Sequence, residues 1–127
     1  MIKAYLAARY ERRGELLGYI ERLADAGIEV TSTWLTLEMD NLANAAQMDL
    51  NEIRSADMLI FFSEDPLTAW VRGSRCVEYG YALALGKRLV VIGQRENCFH
   101  WLLPDSAFFE SVKTFVEHVY VKSVPIT

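Results

Sequence analysis

Cysteine is scarce in this chain. Cys76 and Cys98 are its only two, isolated and in no CxxC pair, so both are expected to stay reduced. Histidine is equally sparse: His100 and His118 have no spacing that completes a metal site, and no metal or other cofactor is implied. Long apolar runs are missing. The longest, such as 58–62, fall far short of the roughly 20 residues that span a bilayer, so no membrane partner is expected. The start of the chain reaches Arg9 before an apolar export signal could develop, which makes the cytoplasm the expected compartment. An excess of positive charge is absent too: 13 Lys and Arg against 17 Asp and Glu leave a net charge of -4, which argues against nucleic acid as a partner. Neither a GxGxxG fingerprint nor a Walker lysine occurs.

What the 127 residues do hold is a 52% hydrophobic, 24% charged composition, that of one ordinary globular domain over 1–127. Periodicity predicts strands at 2–7, 28–34, 57–62 and 88–92, with a brief fifth near 107–109. Helices are predicted at 11–26, 42–56, 75–85 and 111–119, with a helical turn near 99–103. Gly27 and Gly86 supply helix stops, 63–74 reads as a loop, and the tail 123–127 as frayed. Strands alternating with helices predict an α/β fold: a flavodoxin-like or Rossmann-like three-layer sandwich on a mostly parallel sheet of four or five strands. Ligands of such sheets sit beyond the carboxyl ends of the strands, where strand order reverses.

Three features could carry chemistry. Glu78 is the only charged side chain between Cys76 and Gly86. A helix this apolar is expected to be packed nearly all round, so its carboxylate either faces a cavity or answers the helix dipole. A capping box fails, because Ser74 would need its acid at Val77. Asp49 shares a helical stripe with Leu42, Ala46, Leu50 and Ile53, which turns it inward, to a functional site or to a neighbouring backbone. Asp57, which opens a strand, suits a turn or cap. The loop Ala7-Ala8-Arg9-Tyr10-Glu11-Arg12-Arg13 joins a strand end to a helix start, where small residues and arginines suit an anion. Arg72 and Arg75 are expected at the same rim. A solvated face is the alternative. Tyr5 lies mid-strand, where a core role is usual. Trp34, Trp70 and Trp101 could stack on a planar base or simply pack.

On these residues the chain resembles the nucleoside 2-deoxyribosyltransferase family, including its branch of 2'-deoxynucleoside 5'-phosphate N-hydrolases. The matching pieces are Lys3-Ala4-Tyr5-Leu6-Ala7-Ala8-Arg9, the run Met48-Asp49-Leu50-Asn51-Glu52-Ile53-Arg54-Ser55-Ala56-Asp57, and Val77-Glu78-Tyr79-Gly80-Tyr81-Ala82-Leu83-Ala84-Leu85-Gly86-Lys87. The resemblance implies that Glu78 is a nucleophile attacking C1' of a deoxyribose, that Asp49 handles the proton on the leaving base, and that Tyr5 holds the Glu78 carboxylate in line. It also implies a small nucleoside or nucleotide substrate and a homodimer or larger homo-oligomer. One departure is visible. Where many transferases carry an aspartate shortly before the nucleophile, this chain has Trp70-Val71-Arg72-Gly73-Ser74-Arg75, whose cations favour a 5'-monophosphate. In the phosphate-binding branch the first loop holds the phosphate, here Ala7, Ala8, Arg9 and Arg12 or Arg13, with Arg72, Gly73 and Ser74 assisting, in some arrangements from a neighbouring subunit. Two other readings stand beside this one: a non-catalytic nucleotide-binding or sensing module on the same scaffold, and, more distantly, a flavodoxin-type electron carrier, disfavoured because the first loop lacks a Ser/Thr-rich phosphate cradle.

Overall fold

The computed structural model describes residues 1–38, 40–67 and 73–123. Its sheet has five strands, all parallel: β1 (Ile2–Ala7), β2 (Ile28–Val30), β3 (Met58–Phe62), β4 (Arg88–Ile92) and β5 (Phe108–Phe109). They run in the order β2-β1-β3-β4-β5. The helices are α1 (Arg13–Leu17), α2 (Ile20–Asp25), α3 (Leu42–Ser55), α4 (Ser74–Ala84) and α5 (Val112–Ser123). This is the expected parallel α/β sandwich. No helix among the described residues is long and apolar enough to cross a membrane.

The side-chain alternation of a strand splits the core in two. Ala4 and Leu6 of β1, with Met58, Ile60 and Phe62 of β3, pack against Leu16, Leu23 and Phe115. Those three belong to α1, α2 and α5, which form one outer layer. Tyr5 and Ala7, with Leu59 and Phe61, face the other way, onto Ile53 and Ala56 of the α3 segment and Tyr79 and Ala82 of α4. β3 is buried along its whole length, as a continuous apolar strand covered on both faces should be. Asp57 closes the start of the sheet: its Oδ2 accepts the Lys3 N–H at 2.8 Å, and its own N–H donates to the Lys3 carbonyl at 2.8 Å.

Four expectations are corrected here. The helix predicted over 11–26 is a 3-10 turn (Tyr10–Arg12) followed by α1 and α2, broken at Gly18 and Tyr19. Gly14 and Gly18 weaken a helix in that segment. The second strand ends at Val30 rather than continuing to 34. Ser32 turns inward, its Oγ accepting the Leu6 N–H at 3.2 Å, and Trp34 sits in a 3-10 turn (Thr33–Leu35) with its Nε1 donating to the Leu6 carbonyl at 2.8 Å. On α3, Leu42 is 82% exposed and Ala46 is exposed, so the inward stripe begins only near Met48 and Asp49. α4 is packed on one side rather than all round: Arg75, Tyr79 and Ala82 are buried, whereas Val77 is 67% exposed. The expectations for Trp70, Arg72 and the frayed end 124–127 lie outside the described residues.

Candidate functional site

The strand order reverses between β1 and β3, because the chain leaves β1 for β2 on one side and returns to β3 on the other, and this is where a crevice opens in such folds. Tyr5 lies in the middle of β1, opposite Leu59 of β3, and is fully buried. Because odd-numbered residues of β1 face α3 and α4, its ring points at the layer that carries Asp49 and Glu78. The Tyr5 hydroxyl donates a short hydrogen bond to Glu78 Oε2. Glu78 falls one turn into α4, beside the buried Arg75 and Tyr79.

Asp49 and Glu52, one turn apart on α3, complete an acidic group around this bond. Burial is the main force on Glu78 and pushes its carboxyl up to about 8; the charges of Asp49 and Glu52 add to it, and the Tyr5 hydrogen bond opposes it. Asp49 is pushed up to about 6, again chiefly by burial and then by Glu52, with Tyr5 opposing. The Tyr5 phenol itself lies far above its ordinary range, because burial and the neighbouring carboxylates both disfavour a phenolate. It is therefore a fixed donor. Glu52 has a second engagement: its two oxygens accept the Thr33 N–H at 3.2 and 3.3 Å, tying α3 to the turn that carries Trp34.

The first-loop residues divide. Ala7 ends β1 in the core, and Ala8 packs against the α1/α2 side of the sheet. Arg9 and Arg12 converge on one carboxylate, Glu64, at 3.5 and 2.9 Å. Arg12 also grips Glu15 with two nitrogens, at 3.0 and 2.7 Å, and reaches the Ser63 carbonyl at 3.3 Å. Arg13 turns elsewhere, donating to the Leu35 carbonyl at 2.7 Å and lying 3.5 Å from Glu38. Gly73 precedes α4 with φ of 86°, a left-handed conformation that glycine adopts without penalty, and Ser74 is exposed at the helix start.

Arg75 is not at the rim. It is 2% exposed and forms a two-pronged ion pair with Glu96, both contacts at 2.6 Å, while its guanidinium lies 4.9 Å from the Phe61 ring centroid. Glu96 also accepts the Glu64 N–H at 2.6 Å. Its own N–H donates to Nδ1 of His100 at 2.9 Å, which leaves the proton of a neutral imidazole on Nε2. That Nε2 is buried without a hydrogen-bond partner, and the ring packs edge-on against Phe61, Tyr79 and Phe108. Sequence reasoning missed this cluster. The only local signal was Arg75 in register with Tyr79 and Ala82 on the buried face of a helix.

A cleft of about 490 Å³ lies beyond β3, β4 and β5, between Ser63, Glu64 and Asp65 on one side and Phe108, Phe109 and Glu110 on the other. It shares Glu64 with the arginine cluster but does not touch Tyr5 or Glu78. Among the described residues no group of His, Cys, Asp and Glu side chains is arranged to hold a metal ion.

The parallel five-stranded sandwich is a fold seen in solved structures. The chain has the fold of the Clostridium botulinum CMP N-glycosidase BcmB, with a TM-score of 0.64 at 19% identity over 94% of this chain and 98% of that one. It also has the fold of a 2-desoxiribosyltransferase from Leishmania mexicana, with a TM-score of 0.64 at 15% identity over 93% and 99% of the two chains. No protein-family model matches the sequence, and no curated protein matches it significantly.

Proposed function

We propose that this protein cleaves the N-glycosidic bond of 2'-deoxynucleosides or their 5'-monophosphates, through a covalent deoxyribosyl ester on Glu78, and passes the sugar to a second base or to water. One observation carries this reading: the buried Tyr5 hydroxyl donates to the Glu78 carboxylate while Asp49 shares the same acidic group. The fold shared with an N-glycosidase and a deoxyribosyltransferase supports it.

In the reaction, a Glu78 oxygen attacks C1' as the bond to the base nitrogen breaks, and the bonding pair leaves with the base. Asp49 delivers the proton that neutralises it. Water, or the nitrogen of an incoming base, then attacks C1' and releases Glu78, its proton returning to Asp49. Tyr5 holds the nucleophilic carboxylate in line. The sugar's 5' end meets the loop of Ala7, Ala8, Arg9 and Arg12, with Gly73 and Ser74 across from it.

The two acids titrate as a pair, the first proton leaving near 6 and the second near 8, so between those values they hold one proton. That is the proton count the step needs: the resting proton lies on Glu78, and its passage to Asp49 leaves Glu78 as the nucleophilic carboxylate and Asp49 as the acid. Incubation with deoxynucleosides and dNMPs, with and without a second free base, should release base in an HPLC assay. Mass spectrometry should find an adduct of deoxyribose mass on Glu78. Wild-type turnover by Glu78→Ala would overturn the assignment, and ligand-induced stabilisation without base release would favour a binding module.

A further inference from the structure

Every arginine described at this rim already has a carboxylate. Arg9 lies 3.6 Å from Glu11 and 3.5 Å from Glu64. Arg12 lies 2.7 Å from Glu15 and 2.9 Å from Glu64. Glu64 is thus the acid common to Arg9 and Arg12 of the first loop. It is not a loose surface side chain, since only 16% of it is exposed. Its backbone is pinned from behind, because the Glu64 N–H donates to the Glu96 carboxylate that the buried Arg75 holds at 2.6 Å.

From this arrangement we propose that Glu64 determines specificity: its carboxylate fills the anion-binding capacity of Arg9 and Arg12, so the substrate end that meets this loop is an uncharged hydroxyl. The inference rests on the N-glycosidic reading above and narrows its substrate class to nucleosides with a free 5'-hydroxyl. A carboxylate accepts a hydrogen bond from a hydroxyl. A phosphate dianion would instead have to break the 2.9 Å Arg12 contact and stand beside a like charge in a partly desolvated place. Arg12 meets Glu64 through Nη1, the guanidinium nitrogen that Glu15 leaves unused.

The test compares wild type with Glu64→Gln, an isosteric change that removes the charge. Binding is read by calorimetry with three probes, inorganic phosphate, a deoxynucleoside and its 5'-monophosphate, and base release is assayed in parallel. Wild type should bind the nucleoside more tightly than the monophosphate and bind phosphate negligibly. Glu64→Gln should shift the ratio toward the monophosphate by about tenfold or more, and should bind free phosphate, as expected when the negative charge shared by Arg9 and Arg12 is removed. A wild type that prefers the monophosphate, through Arg72 or otherwise, would overturn the proposal. So would a Glu64→Gln protein that melts like wild type yet binds phosphate no better. Because the phosphate arm needs no turnover, its success with no base release from any substrate would sink the enzymatic reading and leave the role of Glu64 at the anion site standing.

Discussion

The Tyr5 hydroxyl and the Glu78 carboxylate meet across the sheet–helix interface, 73 residues apart in the chain, with the phenol as donor. Tyr5 cannot easily drift, because β1 pairs with β2 on one side and β3 on the other. Tyr5→Phe should therefore lower kcat far more than it raises KM, by about 10²-fold, the scale for losing one preorganised donor. Since the Tyr5 bond works against the elevation of Glu78, its loss should also move the alkaline limb of the kcat profile upward. A pH series on the purified variant checks both.

The activity of the wild type should be bell-shaped in pH, with limbs near 6 and 8. Glu52 raises both acids, so Glu52→Gln should slide both limbs downward while an amide oxygen keeps the Thr33 N–H satisfied. Profiles that superpose on wild type would show that Glu52 serves only the turn.

Stability should follow the same acids. Glu78 holds its proton up to about 8 in the folded chain against an ordinary 4.5, so between these values the folded state binds more protons than the unfolded one. Stability is then full below the lower value and declines as pH rises toward the upper. Glu78→Gln should flatten the fall of Tm between pH 5 and 8 and leave the variant more stable than wild type at the alkaline end.

Breaking the Arg75–Glu96 pair should be costly. Glu96→Ala leaves a guanidinium of 2% exposure without its anion, and a loss of about 3–5 kcal/mol, roughly 10–20 °C in Tm, is expected for such a change. It also frees the Glu64 N–H, so the Arg9 and Arg12 contacts should loosen with it, visible as faster amide exchange at residues 63–65.

Much of the sheet could be read from the chain because β1, β3 and β4 are short apolar runs whose burial demands only a period of two. Glu78 and Asp49 stood out for the same reason, as acids where apolar side chains were expected, and Tyr5 was drawn in by the family likeness. The helix break at Gly18 and Tyr19 and the turn at Ser32 were hidden. The first is a competition between weak helix formers and packing, and the second depends on a side chain bonding a strand that lies 26 residues away. Arg75 illustrates the larger gap. A cation at a helix start looks solvated until a glutamate 21 residues later arrives to bury it.

The imidazole of His100, packed edge-on against three aromatic rings, adds its own contribution to the pH dependence of stability. Burial holds its basicity below the ordinary range, so the folded molecule takes up that proton less readily than the unfolded chain, and stability is lost as pH falls through about 6.5. The carboxylates of the crevice pull in the opposite sense. Where the two ranges overlap, the imidazole offsets part of the stability that the carboxylates lose as pH rises, so a ring hydrogen-bonded to neither Glu78 nor Asp49 softens the pH dependence they impose.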